Sequence, residues 1–222
     1  MKALLLDLDD TLLDDRGATR KAFSSFLASH RHTLESDVES VMLARWQSIS
    51  RKHWPRFEQG EISFAEQRRS RVRDFLQQTM SDEEADTAFE PYLEAYEASW
   101  SLLPGVDHLL RQTASIPKVI VTNGERTQQL RKIEACGLTS HIVGAITPMD
   151  CGYWKPHRGI FLAALALLKV EPGDCWMIGD DLVRDIRPAE DLGITAFLIE
   201  HGNPEKSLLQ VLGGIRWNLR GS

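Results

Sequence analysis

The stretch "ALLLDLDDTLL", residues 3–13, decides how this chain is read. Its apolar run has the character of a buried strand, yet it is broken by Asp7, Asp9 and Asp10. An unpaired carboxylate taken out of water costs on the order of several kcal/mol, so these acids need a compensating partner. In an extended chain, side chains two apart share a face. Asp7 and Asp9 therefore point to one side if the strand persists through Leu8.

Further along, short apolar runs alternate with helical stretches: "KVIVT" (118–122), "IVGAI" (142–146), "CWMIG" (175–179) and "AFLI" (196–199). This alternation predicts a parallel sheet covered by helices, with the opening run as one more strand. Gly137, after "TQQLRKIEAC", and Gly193, after "AEDL", fit the position just past a helix end. Residues 15–100 offer no comparable strand. They carry three capping-box spacings instead, Ser36 with Glu39, Ser63 with Glu66 and Ser81 with Glu84. Within "DVESVMLARWQSI", Val38, Val41, Met42 and Ile49 recur at helical spacing and predict a packing stripe, and Pro91 is expected to kink or end the last helix. The chain returns to the sheet through "LLPGV" at 102–106. The expected fold is α/β, a Rossmann-like parallel sheet with helices on both faces (residues 1–14 and 101–222). An inserted all-helical domain spans residues 15–100.

With 222 residues, 42% of them apolar, the chain can bury one good core plus a smaller appended unit. A net charge of −6 with scattered Lys and Arg gives no basic footprint for a nucleic acid polymer. No apolar run is long enough for a signal peptide or a membrane span, so a soluble, cytoplasmic protein is expected, monomeric or homodimeric. Cys136, Cys151 and Cys175 have no paired spacing and predict neither a disulfide framework nor a zinc site.

Open parallel sheets bind ligands beyond the carboxyl ends of their strands, which is where Asp7 would be delivered. "KVIVT" ends in Thr122, followed by Asn123, and "CWMIG" runs into Asp180 and Asp181, with Asp185 shortly after. Three strand ends thus bring Asp7, Thr122 and Asp180 towards one rim. Clustered hard oxygen donors favour Mg²⁺, which takes one or two protein carboxylates plus an anionic ligand oxygen. Beside such an ion one carboxylate can stay ionised and attack phosphorus, while a second protonates the leaving oxygen. Each residue alone has a plainer reading. Asp9, Asp10 or Thr11 could cap a helix, Thr122 could simply close a strand, Lys155 could be a surface lysine, and Asp180, Asp181 and Asp185 could enrich a helix N-terminus in acid. A calcium loop beginning at Asp7 fails, because its sixth and twelfth positions are Leu12 and Ala18.

Taken together and in this order, the residues resemble the haloacid dehalogenase-like hydrolases. Asp7, Asp9 and Thr11 match the family's DxDxT, and Thr122 its strand-closing Thr or Ser. Lys155 in "GYWKP" looks like its lysine, and Gly179, Asp180 and Asp185 match GDxxxxD. The resemblance implies that Asp7 is a nucleophile forming an aspartyl-phosphate and that Asp9 is the acid which later activates water. It implies that Thr122, with Asn123, and Lys155 hold the phosphoryl group. Mg²⁺ would be bound by Asp7, the Asp9 carbonyl and Asp180, with Asp181 or Asp185 completing the shell or orienting Lys155. The inserted helices are similar to the family's mobile cap. "HWPRFEQGEISFAEQRRSRVRDFL" resembles caps of the nucleotidase and acylneuraminate-phosphatase branch, although His157 and Arg158 depart from the family's usual residues after the lysine.

The implied activity is Mg²⁺-dependent hydrolysis of a small phosphorylated metabolite, a nucleotide or sugar phosphate. A phosphomutase, a 2-haloacid dehalogenase and a non-catalytic binding protein are the other readings of the same fold. Within the insertion, "RRSRVR" (68–73) reads as a solvated helix face and His53, Trp54 and Phe57 as core.

Overall fold

The computed structural model describes residues 1–30 and 38–220, with side chains to residue 215. Strand β1 (Ala3–Leu6) opens the chain with all four side chains fully buried. Among the described residues four helices follow: α1 (Asp15–His30), α2 (Glu39–Glu58), α3 (Phe64–Leu76) and α4 (Asp82–Glu97). The remaining elements alternate as α5 (Val106–Gln112), β2 (Lys118–Val121), α6 (Arg126–Ala135), β3 (Gly144–Ile146), α7 (Pro148–Cys151) and α8 (Arg158–Leu168). They end with β4 (Cys175–Gly179), α9 (Arg187–Glu190), β5 (Thr195–Leu198) and α10 (Pro204–Arg220).

The five strands form one parallel sheet in the order β3-β2-β1-β4-β5. β1 is central, with Leu5 in register with Val119 on one side and Met177 on the other. Alternation along each strand feeds two cores, as the two-residue period of a strand requires. Leu4, Leu6, Ile120, Trp176 and Ile178 pack with α5, Ile133 of α6, and Leu208, Val211, Leu212 and Ile215 of α10. Ala3, Leu5, Val119, Val121 and Met177 pack with Ile160, Phe161, Ala164 and Leu165 of α8. Helices thus cover both faces, and near-continuous apolar strands are what a sheet buried on both sides demands. The chain order reverses at β1, between β2 and β4, which opens a crevice at their carboxyl ends.

The run at 142–146 forms a shorter strand than its apolar character predicts. A 3₁₀ turn at Thr139–His141 precedes it, Val143 is exposed, and the ladder covers only Gly144–Ile146. Gly137 (φ +69°) and Gly193 (φ +83°) adopt the left-handed conformation expected just past a helix. All three cysteines are free thiols. Among the described residues no helix is long and apolar enough to cross a membrane.

The chain divides into two compact units, Met1–Asp15 with Trp100–Ser222, and Arg16–Ser99. The second is all-helical where described, built round the rings of Phe23, Phe26, Trp46, Phe75, Phe89 and Tyr92, with centroid separations such as 4.8 Å for Phe26–Trp46 and 5.1 Å for Trp46–Tyr92. That cluster sets the buried face of α2, which is Met42, Trp46, His53 and Phe57. The predicted stripe is wrong at its start, since Val38 and Val41 are 69% and 59% exposed. The large Trp46 outweighs two small valines in choosing the inward face. His53 and Phe57 are core residues, as expected.

Helix α4 does not end at Pro91 but continues to Glu97, anchored on either side of the proline by buried Phe89 and Tyr92. Ser81 and Glu84 form the full reciprocal capping box, whereas Ser63 accepts from the Glu66 amide with no reciprocal bond. Ser36 lies outside the described residues. The "RRSRVR" run is only partly a solvated face. Arg69 and Arg73 do pair at the surface with Asp82, Asp86 and Glu66, but Arg71 is buried at 9% exposure against aromatic rings.

Candidate active site

Asp7 follows β1 directly and keeps its sheet pairing, its amide donating to the Ile178 carbonyl at 2.9 Å. Asp7 is 5% exposed, and its carboxylate is held from two sides. Lys155 Nζ donates to Oδ1 at 2.5 Å and Thr11 Oγ1 donates to Oδ2 at 2.9 Å. Lys155 also donates to Asp185 Oδ1 at 2.7 Å, so one ammonium bridges two buried carboxylates. Burial works against that ammonium, but Asp185 and Asp7 outweigh it and hold its pKa above the ordinary lysine value. Asp180 extends the group with Thr11 Oγ1 3.4 Å from its Oδ1 and His201 Nε2 3.2 Å from its Oδ2.

Oxygen atoms of Asp7, Asp180 and Asp185 lie within 4.8 Å of one another. Burial, then the neighbouring charges of Asp7, Asp185 and Asp10, push the Asp180 carboxyl up to about 8. Asp7 is raised as well, by burial and by Asp185 against the opposing pull of Lys155. Three clustered carboxylates, two of them bridged by one ammonium, form an under-neutralised pocket of hard oxygen donors. Such a donor set fits Mg²⁺ or a similar divalent ion, which suits carboxylate and water oxygens.

The other predicted residues go to different tasks. The strand does not persist through Leu8. Asp10 turns with φ +61°, and the amides of Leu12 and Leu13 fold back on the Leu8 carbonyl. Asp9 itself bridges Leu13, and its carboxylate is directed at α6, where Lys132 Nζ donates to Oδ1 at 2.6 Å and Gln129 Nε2 to Oδ2 at 2.8 Å. The Asp9 carboxylate is not part of the acidic trio. Asp181 is not either, because its Oδ1 caps the next turn by accepting from the amides of Val183 and Arg184 at 2.8 and 3.0 Å. Asn123 uses both ends of its amide on Lys155, donating to its carbonyl at 2.8 Å and accepting from its backbone N–H at 2.7 Å. Thr122 is buried, its Oγ1 accepting from Gln129 Nε2 at 2.6 Å.

Gln129 and Lys132 are residues that the sequence reading missed. They sit three apart on α6, the spacing of one helix face, at buried positions next to Ile133 where apolar residues would ordinarily go. That substitution of polar for apolar on an inward face is the signal that could have found them. Lys132 further donates to Asp15 Oδ1 at 3.0 Å. Two glycines make room for this arrangement. A Cβ on Gly124 would lie 2.2 Å from the Gln129 side chain, and one on Gly179 would lie 2.5 Å from Asp185. We expect Gly179→Ala to destabilise the fold by about 1–3 kcal/mol, because Asp185 is pinned by Lys155 and cannot move aside. Chemical denaturation with both proteins in the same buffer checks this.

Residues 1–193 match the family of haloacid dehalogenase-like hydrolases. The chain belongs to that family. The relatives include N-acylneuraminate-9-phosphatase from Rattus norvegicus, 26% identical over 88% of this chain and 81% of that one. They also include phosphoserine phosphatase from Thermus thermophilus, 28% identical over 97% of each chain. Among solved structures, the magnesium-bound HAD-hydrolase YfnB from Bacillus subtilis superposes with a TM-score of 0.74 at 24% identity, covering 92% of this chain and 89% of that one, a likeness of fold.

Proposed function

We propose that this hydrolase is a Mg²⁺-dependent phosphatase that hydrolyses a small phosphomonoester, a nucleotide or sugar phosphate, through an aspartyl-phosphate on Asp7. The observation that carries this reading is the bridging of buried Asp7 and Asp185 by Lys155 beside Asp180. Lys155 favours the charged form of Asp7 against burial and Asp185, and a divalent ion on the three acids would let the pocket accept an anionic substrate. Phosphatase names among the relatives point the same way.

An Asp7 oxygen attacks phosphorus while the bond from phosphorus to the ester oxygen breaks, and Asp9 gives its proton to that leaving oxygen. In the second half Asp9 takes a proton from water as the water oxygen attacks phosphorus. The bond between Asp7 and phosphorus breaks, phosphate departs, and both aspartates are restored. Thr122 suits a phosphoryl oxygen because its own oxygen already accepts from Gln129, leaving its hydroxyl proton to donate outward. Lys155 offsets charge on the transferring group. Asn123 is a positioning residue that fixes the Lys155 backbone. Asp7, Asp180 and Asp185 would hold Mg²⁺, which when bound shields the attacking carboxylate from the incoming phosphate charge. The helical insertion takes the role of the family's cap, which limits water access and selects the substrate. Phosphate release from a panel of phosphorylated metabolites, with and without chelator, tests the activity. Absence of release from every member of the panel with Mg²⁺ present would refute it.

Asp9 serves as acid only if its carboxylate is aimed correctly, and Gln129 and Lys132 do the aiming. Lys132→Met is expected to lower kcat by about 10- to 100-fold on alkyl phosphates, part of the ~10²–10⁴ that a positioned acid supplies. The loss on p-nitrophenyl phosphate should be much smaller, since that leaving group needs no proton. Equal losses on both would show that Lys132 acts on something other than proton transfer.

A further inference from the structure

Among the described residues of the helical unit, a group of buried polar atoms has no hydrogen-bond partner. Gln67 is fully buried, and neither its side-chain oxygen nor its nitrogen makes a hydrogen bond; Trp46 Nε1 and Arg71 Nε are likewise enclosed and unbonded. Gln67 and Arg71 are four apart on α3, one above the other on the same face. The Arg71 guanidinium lies 4.5 Å from the Trp46 ring centroid, 5.3 Å from Tyr92 and 5.6 Å from Phe89. Arg69 and Arg73 beside it in sequence are paired with carboxylates; among the described residues Arg71, with 9% exposure, is paired with none. Native proteins rarely leave buried polar groups unsatisfied, and a buried charge without a counter-charge is the most unfavourable case of all. Three such groups on adjoining positions of two packed helices mark a place that something else completes.

We propose that Arg71, Gln67 and Trp46 form a binding site for a small carboxylate that carries an adjacent hydroxyl or amide donor. The guanidinium fork matches a carboxylate bidentately, and the indole N–H and the Gln67 amide N–H supply further donors. The Gln67 oxygen needs a donor, which a bare carboxylate lacks and a hydroxy acid provides. The rings beside the guanidinium keep the site dry, which strengthens each of these contacts. This site stands on the helical unit alone and does not depend on the reaction assigned to Asp7.

Thermal unfolding of the full, metal-free chain tests it, with sodium gluconate as the hydroxy acid, sodium acetate as the carboxylate without a donor, and sodium chloride at matched ionic strength. Gluconate is expected to raise the midpoint by about 2–4 °C over chloride, with acetate giving less. Gln67→Leu should reduce the gluconate response to the acetate level, and Arg71→Met should abolish both. Without ligand, Arg71→Met should melt at the same temperature or higher, because an unpaired buried charge has been replaced by an apolar chain of similar length. The proposal is overturned if gluconate does no more than chloride, if Gln67→Leu responds like the wild type, or if Arg71→Met melts lower in ligand-free buffer. The last result would show that the guanidinium is retained for packing on the rings.

Discussion

Asp7→Asn is expected to fold, to bind divalent ion more weakly, and to lose phosphate release by ~10⁴-fold or more. The amide cannot attack phosphorus, so no residual nucleophile remains at the end of β1. Folding should survive because the change removes one of three crowded carboxylates; Asp7 is already pushed towards its neutral form by burial and by Asp185. Thr11 can still donate to the amide oxygen, and Lys155 keeps Asp185. Steady-state phosphate release, with circular dichroism and thermal unfolding on the same preparation, checks both halves. A variant that is folded yet retains more than a small fraction of the activity would remove Asp7 from the chemistry.

The second large effect concerns Lys155. Lys155→Met leaves Asp7 and Asp185 buried without the ammonium that bridges them at 2.5 and 2.7 Å. Removing one partner of a buried ion pair typically costs about 3–5 kcal/mol, and here one partner serves two acids. Stability in metal-free buffer should therefore fall by that order, and Mg²⁺ should restore a part of it by supplying positive charge to the same oxygens. Activity should fall by ~10³-fold or more even in saturating Mg²⁺, since both the hold on Asp7 and the charge opposite the phosphoryl group are lost. Urea unfolding at several Mg²⁺ concentrations separates the two contributions. A Lys155→Met protein as stable as the wild type without metal would mean that Asp7 and Asp185 are not charged together in the folded chain.

Much of this arrangement could be read from the residues. The strands were legible because a sheet buried on both faces writes apolar runs into the sequence, and Asp7, Thr122 and Asp180 follow three such runs directly. The central position of β1, flanked by β2 and β4, then brings those strand ends together. The direction of each side chain beyond the strand ends was not legible. The two-residue period puts Asp9 on the side of Asp7, but it carries no sign of Lys132 and Gln129, which donate to its carboxylate, or of the turn that follows at Asp10, φ +61°. Asn123 and Asp181 also make bonds that spacing does not show, Asn123 clamping the Lys155 backbone and Asp181 capping a turn. Such backbone demands are satisfied locally and leave no trace in spacing. The helical unit was read least well. Arg71 belongs to a run of arginines with the composition of a surface, and only the aromatic cluster round Trp46 draws it inward.

The most direct measurement is a rapid acid quench during turnover in Mg²⁺, followed by peptide mapping of the protein for bound phosphoryl. The expected result is a phosphorylated peptide whose modified residue is Asp7, present in wild type, absent from Asp7→Asn, and absent when Mg²⁺ is withheld. Phosphate release with no phosphorylated peptide at any quench time, or with the phosphoryl group on another residue, would contradict it.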